Sequence, residues 1–272
     1  MNLIHALLLG IIQGLTEFIP VSSTAHLLIG QKLLGLPSDN AMFAFLVLVQ
    51  LGTLLSLVIT FGRDLLGLVR AFFARPFSSA QNRLAWYILI ASVPALIAGY
   101  LLKNAVEALF RTPLLEAAIR LLSAALLLAL AEWLGGRGRQ RHDLKAMNWL
   151  DALIVGLFQV LSVFPGASRS GATISGGMLR RFDRPSAARF AFLVSVPVML
   201  AAGLYEMLDV LALPQLPTFW PSLLAGFAAA AVVGWLAIRW LLDYIGRHSL
   251  FVFAGYCTLL GAVTLTVHLL AG

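Results

Sequence analysis

Charged residues are scarce in this chain. Of its 272 residues only 11% are Asp, Glu, Lys or Arg, against 60% hydrophobic, whereas a soluble domain carries roughly a quarter charged residues. That shortfall excludes an ordinary water-soluble globule. Cysteine is almost absent too. The single Cys257 leaves no intrachain disulfide and no Cys-based metal site, and within its apolar run it reads as a small packing residue. The first ten residues, MNLIHALLLG, hold no Lys or Arg, so the charged start of a secretory signal peptide is missing.

What is there is a series of long apolar runs: Met42–Phe61, Leu84–Leu102, Leu114–Leu134, Phe190–Leu208, Trp220–Leu242 and Leu250–Leu270. Each has about the length needed to cross a hydrocarbon core of ~30 Å. The expectation is an all-α polytopic membrane protein with six transmembrane helices, in contact with membrane lipids. A net charge of +7 would suggest a nucleic-acid partner in a soluble protein. Here the basic residues cluster between the runs, so they report orientation in a membrane and no nucleic-acid partner is expected.

Two stretches resemble each other: GIIQGLTEFIPVSSTAHLLIG from Gly10 and GLFQVLSVFPGASRSGATISGG from Gly156. Gln13 corresponds to Gln159, a shift of 146 residues, and FAFLV recurs at 43–47 and 190–194 with nearly the same shift. The chain therefore reads as two halves, 1–146 and 147–272. Each opens on a polar, proline-broken segment (1–36 and 148–180) and continues through three runs. Three crossings are odd, so if each polar segment is a re-entrant hairpin that enters and leaves on one face, the halves are inverted repeats. Inverted repeats place broken helices and a binding site near the midplane.

The loops 63–83, 137–145, 180–189 and 239–247 together hold fourteen of the nineteen basic residues. Four more (Lys32, Lys103, Arg111 and Arg120) fall on the opposite side, and Arg169 is left over. The rich side is expected to be cytoplasmic, with both termini outside. Glu116, Arg120, Glu132, Asp151, Glu206 and Asp209 fall near run ends and read as interfacial.

The prolines mark the tips of the polar segments. Pro20 and Pro165-Gly166 each interrupt a helix, and freed backbone groups at membrane depth are tolerated only where protein or water satisfies them. After each break stand helix-capping residues, Ser22, Ser23 and Thr24 in one and Ser168 and Ser170 in the other. Helices that begin there point amides and a positive dipole end into the interior, which attracts anions and phosphate in particular. Gln13 and Glu17 share one helix face, and His26 lies one turn beyond Ser22 and Ser23. Arg169 offers a planar fork for phosphate oxygens. The plainer reading has the hydroxyls packing helices, Glu17 and Arg169 as an ion pair joining the repeats, and His26 as a satisfied polar residue.

At these residues the chain resembles the undecaprenyl-diphosphate phosphatases, also called the bacitracin-resistance family. The first motif is seen as Gln13-Gly-Leu-Thr-Glu17, continuing into Pro20-Val-Ser-Ser-Thr-Ala-His26; the second is Pro165-Gly-Ala-Ser-Arg-Ser-Gly-Ala-Thr173. Position 13 is Gln where many members have Glu, so a metal there would meet an amide carbonyl without a charge. The resemblance implies an integral membrane enzyme of the bacterial plasma membrane. It would remove the terminal phosphate of a polyprenyl diphosphate and return the lipid carrier to peptidoglycan synthesis. It also implies a divalent cation, Mg²⁺ or Ca²⁺, on Glu17 and Gln13, hard oxygen donors. Arg169, Ser22, Ser168, Ser170 and Thr173 are then the expected phosphate contacts, with Glu17, Ser23, His26 and Arg169 as the reacting set. Three nucleophiles stay open: Ser23 with His26 or Glu17 as base, His26 itself, or a metal-activated water. Ser23 is preferred. The rival class is a lipid-phosphate flippase, since inverted repeats with re-entrant hairpins are typical of transporters. The sequence sets no oligomeric state and is compatible with a homodimer.

Overall fold

The structure, a computed structural model, describes residues 2–37, 39–74, 76–109, 113–135, 143–163, 168–212 and 216–271. The tip at Pro165-Gly166 and the basic residues Arg75, Arg111, Arg137, Arg139 and Arg141 lie outside the described residues. Every regular element among the described residues is a helix: α1 Leu3–Phe18, α2 Ser23–Leu33, α3 Asn40–Phe72, α4 Ala80–Leu109, α5 Pro113–Gly135, α6 Trp149–Val160, α7 Arg169–Leu179, α8 Arg184–Leu211, α9 Leu216–Arg247 and α10 Phe251–Ala271, with a single 3₁₀ turn at Leu144–Ala146. Six of them, α3, α4, α5, α8, α9 and α10, are long and apolar enough to cross a membrane. The chain is thus an all-helical, multi-pass membrane protein. The other four are short. At 11 to 16 residues and about 1.5 Å per residue, none reaches across ~30 Å.

The order of elements repeats. Two short helices followed by three long ones occur twice, and Ser23 and Arg169, which open α2 and α7, stand at the shift that relates Gln13 to Gln159. Packing follows the same exchange. α1 lies against α9 and α6 against α4, while α3 meets α8 and α5 meets α10. Glycine permits the first two crossings. A Cβ on Gly10 would come within 2.4 Å of the Gly226 carbonyl oxygen, and one on Gly156 within 2.6 Å of the Ala91 carbonyl oxygen. Small residues drive such contacts in lipid, where apolar burial gives helices little reason to associate. On α9 the small positions Gly226, Ala230 and Gly234 recur every fourth residue and receive Gly10 and Gly14 of α1. The buried stripe of α1 is therefore Ala6, Gly10, Gln13, Gly14 and Glu17, and its polar members are carried inward by the face that must pack.

Several segments expected to be loops are helical. α3 continues through Arg63 to Phe72, and α9 runs on to Arg247. A helix can outrun the hydrocarbon region because its backbone bonds are satisfied internally, while exposed arginines such as Arg63 and Arg70 meet the polar layer. The connection between α3 and α4 shortens accordingly. Asn82 organises it, donating from Nδ2 to the Ala71 carbonyl and accepting from the Phe77 amide, each at 2.5 Å.

Of the six residues read as interfacial, four are buried within the helix bundle. Glu116, Glu132 and Asp151 are 5%, 7% and 0% exposed, and Arg120 is 5% exposed. Arg120 pairs with Glu116 at 2.8 Å one turn away on α5. Glu132, at the end of α5, accepts both Arg184 of α8, whose Nε donates at 3.0 Å, and the Leu250 amide that precedes α10. Arg180 of α7 donates to Asp151 of α6 at 2.7 Å, and Arg189 of α8 to Asp64 of α3 at 2.6 Å. Such pairs make a buried carboxylate tolerable, and those of Glu132 with Arg184 and Asp151 with Arg180 join different helices.

Candidate active site

Glu17 closes α1, and the chain then breaks at Ile19 and Pro20. The peptide turns at Ser22, whose φ of 69° is in the left-handed region that non-glycine residues occupy at a cost of about 1–3 kcal/mol. α2 starts at the next residue. This sharp turn brings Ser23 back under Glu17, and its hydroxyl donates to Glu17 Oε2 at 2.6 Å. The Gln13 amide, one helical turn earlier, donates to the same oxygen at 3.0 Å. The other carboxylate oxygen accepts Arg169 Nη2 from the opposite half of the chain. Glu17 is thus buried with three donors, and a hydroxyl-to-carboxylate bond of this length is of the charge-assisted kind. Arg169 is about one-fifth exposed, and among the described residues Glu17 is its one ion-pair partner.

The start of α7 completes the arrangement. Ser168 caps it, its Oγ accepting the Gly171 amide at 3.2 Å and lying 3.1 Å from Ser170 Oγ. Ser170 Oγ reaches the Ile19 carbonyl at 3.5 Å, and Gly171 lies against Pro20. The N-termini of α2 and α7 therefore converge on one point, each presenting amides and a positive dipole end. Thr173 stands a turn deeper and is fully buried; its hydroxyl donates to the Arg169 carbonyl at 2.7 Å.

His26 stands on α2 one turn after Ser22. Its Nδ1 lies 2.8 Å from the Ser22 carbonyl, and a carbonyl only accepts, so Nδ1 carries the proton. Nε2 is then the acceptor, and it meets the Tyr256 hydroxyl of α10 at 2.7 Å. The two ring planes are 8° from parallel with centroids 5.7 Å apart, the hydroxyl meeting the edge of the imidazole. Ser23 is bonded to Glu17 and not to His26. Gln13, Glu17, Ser22, Ser23, Ser168, Arg169 and Ser170 are thus gathered at one junction, with Thr173 below it and His26 held beside it by Tyr256. Tyr256 was not legible as a site residue. It lies in the last apolar run, 230 residues from His26, and no local pattern sets it apart.

Gln159, the counterpart of Gln13, is fully buried, and among the described residues neither its amide nitrogen nor its amide oxygen has a partner. Val163 stands where a carboxylate would answer it.

Over residues 6–263 the chain matches the family described as bacitracin resistance protein BacA. It belongs to that family. Among its BacA-family relatives, a protein named undecaprenyl-diphosphatase from Rubrobacter xylanophilus is 40% identical, covering 99% of this chain and all of its own length. Proteins of the same name from Anaeromyxobacter dehalogenans and Chloroherpeton thalassium are 41% and 38% identical, covering 96% and 98% of this chain.

A metal would find oxygen donors here. Among the described residues no three His, Cys, Asp or Glu side chains are grouped to hold one. Mg²⁺, however, is commonly bound by one or two carboxylates with substrate phosphates completing its shell. Glu17 would serve as that carboxylate by sharing oxygens that Gln13, Ser23 and Arg169 meet in this structure.

Proposed function

We propose that this chain is an integral membrane phosphatase that hydrolyses undecaprenyl diphosphate to undecaprenyl phosphate and inorganic phosphate. That reaction recycles the lipid carrier for peptidoglycan synthesis and underlies resistance to bacitracin. The observation that carries the reading is the meeting of Ser23, Glu17 and Arg169 between two helix N-termini, inside a bundle of apolar helices and in a chain of this family. The diphosphate binds where those N-termini converge. Arg169 turns part of its fork from Glu17 to phosphate oxygens, and the hydroxyls of Ser22, Ser168 and Ser170 line the approach. Thr173 steadies the first turn of α7. Glu17 Oε2, already holding the Ser23 proton, takes it as Ser23 Oγ attacks the terminal phosphorus, and undecaprenyl phosphate leaves. Water then releases phosphate from the serine, with His26 as a second base one turn away. A divalent cation held by Glu17 and Gln13 would neutralise charge on the diphosphate when bound.

The flippase alternative is not favoured: the relatives carry the name of a hydrolase, and transport alone needs no serine hydroxyl aligned on a carboxylate. The test is phosphate release by detergent-purified protein from a short prenyl diphosphate, with and without chelator. We expect release that chelation suppresses and that Ser23→Ala lowers at least about 100-fold. Protein that binds the lipid but releases nothing would sink the reading.

The polar segments are re-entrant hairpins and the halves inverted repeats in this proposal. Two observations support it. Arg180, at the end of α7, pairs with Asp151, at the start of α6, so the pair begins and ends together. The exchange of α1–α9 for α6–α4 is what a two-fold relation between the halves, 1–146 and 147–272, produces. The arginine-rich helix ends are cytoplasmic and both termini outside. Reporter fusions at Gly272 check this: an export-dependent reporter should be active there, and activity of a cytoplasmic reporter instead would reverse the topology.

A further inference from the structure

We infer that Tyr256 is a positioning residue of the site, holding the His26 imidazole through its hydroxyl; this rests on the proposed part of His26 in the reaction. An isolated imidazole turns freely about its χ angles and exchanges its proton between two nitrogens. Here both freedoms are removed. The Ser22 carbonyl accepts from Nδ1, so the proton sits there and Nε2 keeps its lone pair. That same carbonyl also accepts the His26 amide, at 3.3 Å. Tyr256 then addresses the lone pair directly, its O–H donating to Nε2 at 2.7 Å, with the two ring planes 8° from parallel and their centroids 5.7 Å apart. Tyr256 is 46% exposed, so its contact with α2 is made by this hydroxyl rather than by filling a core. The contact has a further consequence. His26 belongs to the first half of the chain and Tyr256 to the last helix of the second, so the site draws on α10 as well as on both short pairs. α5 supports the contact, packing against both α2 and α10.

Two contributions of Tyr256 can be separated, the hydrogen bond and the bulk of the ring. Tyr256→Phe removes the first and keeps the second; Tyr256→Leu removes both. One readout is chemical and independent of turnover. Diethyl pyrocarbonate acylates an unprotonated imidazole nitrogen, and Nε2 is the nitrogen of His26 that Tyr256 covers. With mass-spectrometric readout on the full-length protein in detergent, Tyr256→Phe should raise the rate of His26 acylation about fivefold, the rate equivalent of one neutral hydrogen bond. His248, which is exposed and contacts the Tyr244 carbonyl instead, serves as the internal reference and should not change. The second readout is kinetic. In Tyr256→Phe kcat for phosphate release should fall about fivefold with KM and melting temperature unchanged, and in Tyr256→Leu it should fall further. In a His26→Ala background Tyr256→Phe should have no added effect on the residual rate. Equal acylation of His26 in wild type and Tyr256→Phe overturns the hydrogen bond. Faster acylation with an unaltered kcat overturns the positioning role. Full activity in His26→Ala overturns the reading of His26 on which the inference stands, and is distinguishable because the labelling result does not depend on it.

Discussion

The pair α1–α2 carries Gln13 and Glu17 one turn apart, with a serine bonded to the carboxylate. The pair α6–α7 carries Gln159 at the matching place, but Val163 where a second carboxylate would stand. The pairs differ again at their second helices. α7 opens on a serine that caps it, while α2 opens on a serine whose side chain makes no cap bond and whose backbone is in the left-handed region. Both pairs thus share a scaffold, down to the glycine at each crossing, and divide the chemistry. The first supplies Glu17, Ser23 and His26; the second supplies Arg169 and a capped helix end. Repetition brings the starts of α2 and α7 to one place, and divergence then makes one composite site in place of two half-equipped ones.

The largest effect expected from this division is at Glu17. Glu17→Gln keeps the shape and part of the hydrogen bonding but removes the carboxylate. Phosphate release should fall at least about 100-fold, the size typical of acid–base roles, and binding of a lipid analogue should persist, because Arg169 and both helix N-termini remain. If the residue merely paired with Arg169, the variant would instead leave a buried guanidinium unmatched, and melting temperature would fall before activity did. Measuring release, binding and melting on one preparation decides between them.

Gln159 is the next place where the pairs part. Its amide is buried without a partner, and an unmet buried polar group costs about 1–3 kcal/mol. Replacing it by leucine should stabilise the protein by about 1–2 kcal/mol, seen as a higher melting temperature in detergent, and leave phosphate release near wild type. A loss of release at unchanged stability would place this amide in the site and make the two pairs more alike than the comparison allows.

Much of this was legible in the residues. The six crossing helices could be read from run length alone, because lipid forces backbone bonds to close within each segment. The junction of Glu17, Ser23 and Arg169 could be suspected from ionisable residues beside two repeat-related prolines. Other features could not be seen. Periodicity does not say where a helix ends once it leaves the apolar layer, so α3 and α9 proved longer than their runs. The inward burial of Glu132 and Asp151 depends on arginines brought by other helices, which hydropathy does not encode. Tyr256 is the clearest case: its partner is set by how α10 packs, and nothing near it in the chain marks it.

The smallest effect expected is at the two caps, and it tests the comparison most directly. Ser168 and Ser22 occupy equivalent positions before α7 and α2, yet only Ser168 accepts a backbone amide, from Gly171 at 3.2 Å. Removing a cap that is made costs about 1 kcal/mol. Ser168→Ala should therefore lower stability by about that much, while Ser22→Ala should cost no more than a few tenths of a kcal/mol, because no cap bond is lost. Ser22→Gly sharpens the contrast: at a φ of 69° glycine relieves a strain that alanine does not. Thermal unfolding in detergent can rank the three variants. The expected order is Ser168→Ala least stable, Ser22→Ala near wild type and Ser22→Gly at or above it. Equal losses at Ser22 and Ser168 would mean that α2 is capped as α7 is, and that the difference between the two helix starts does not hold in the folded protein. If the order holds, the amides at the start of α2 are left for a ligand to satisfy, whereas those of α7 are partly met by its own serine.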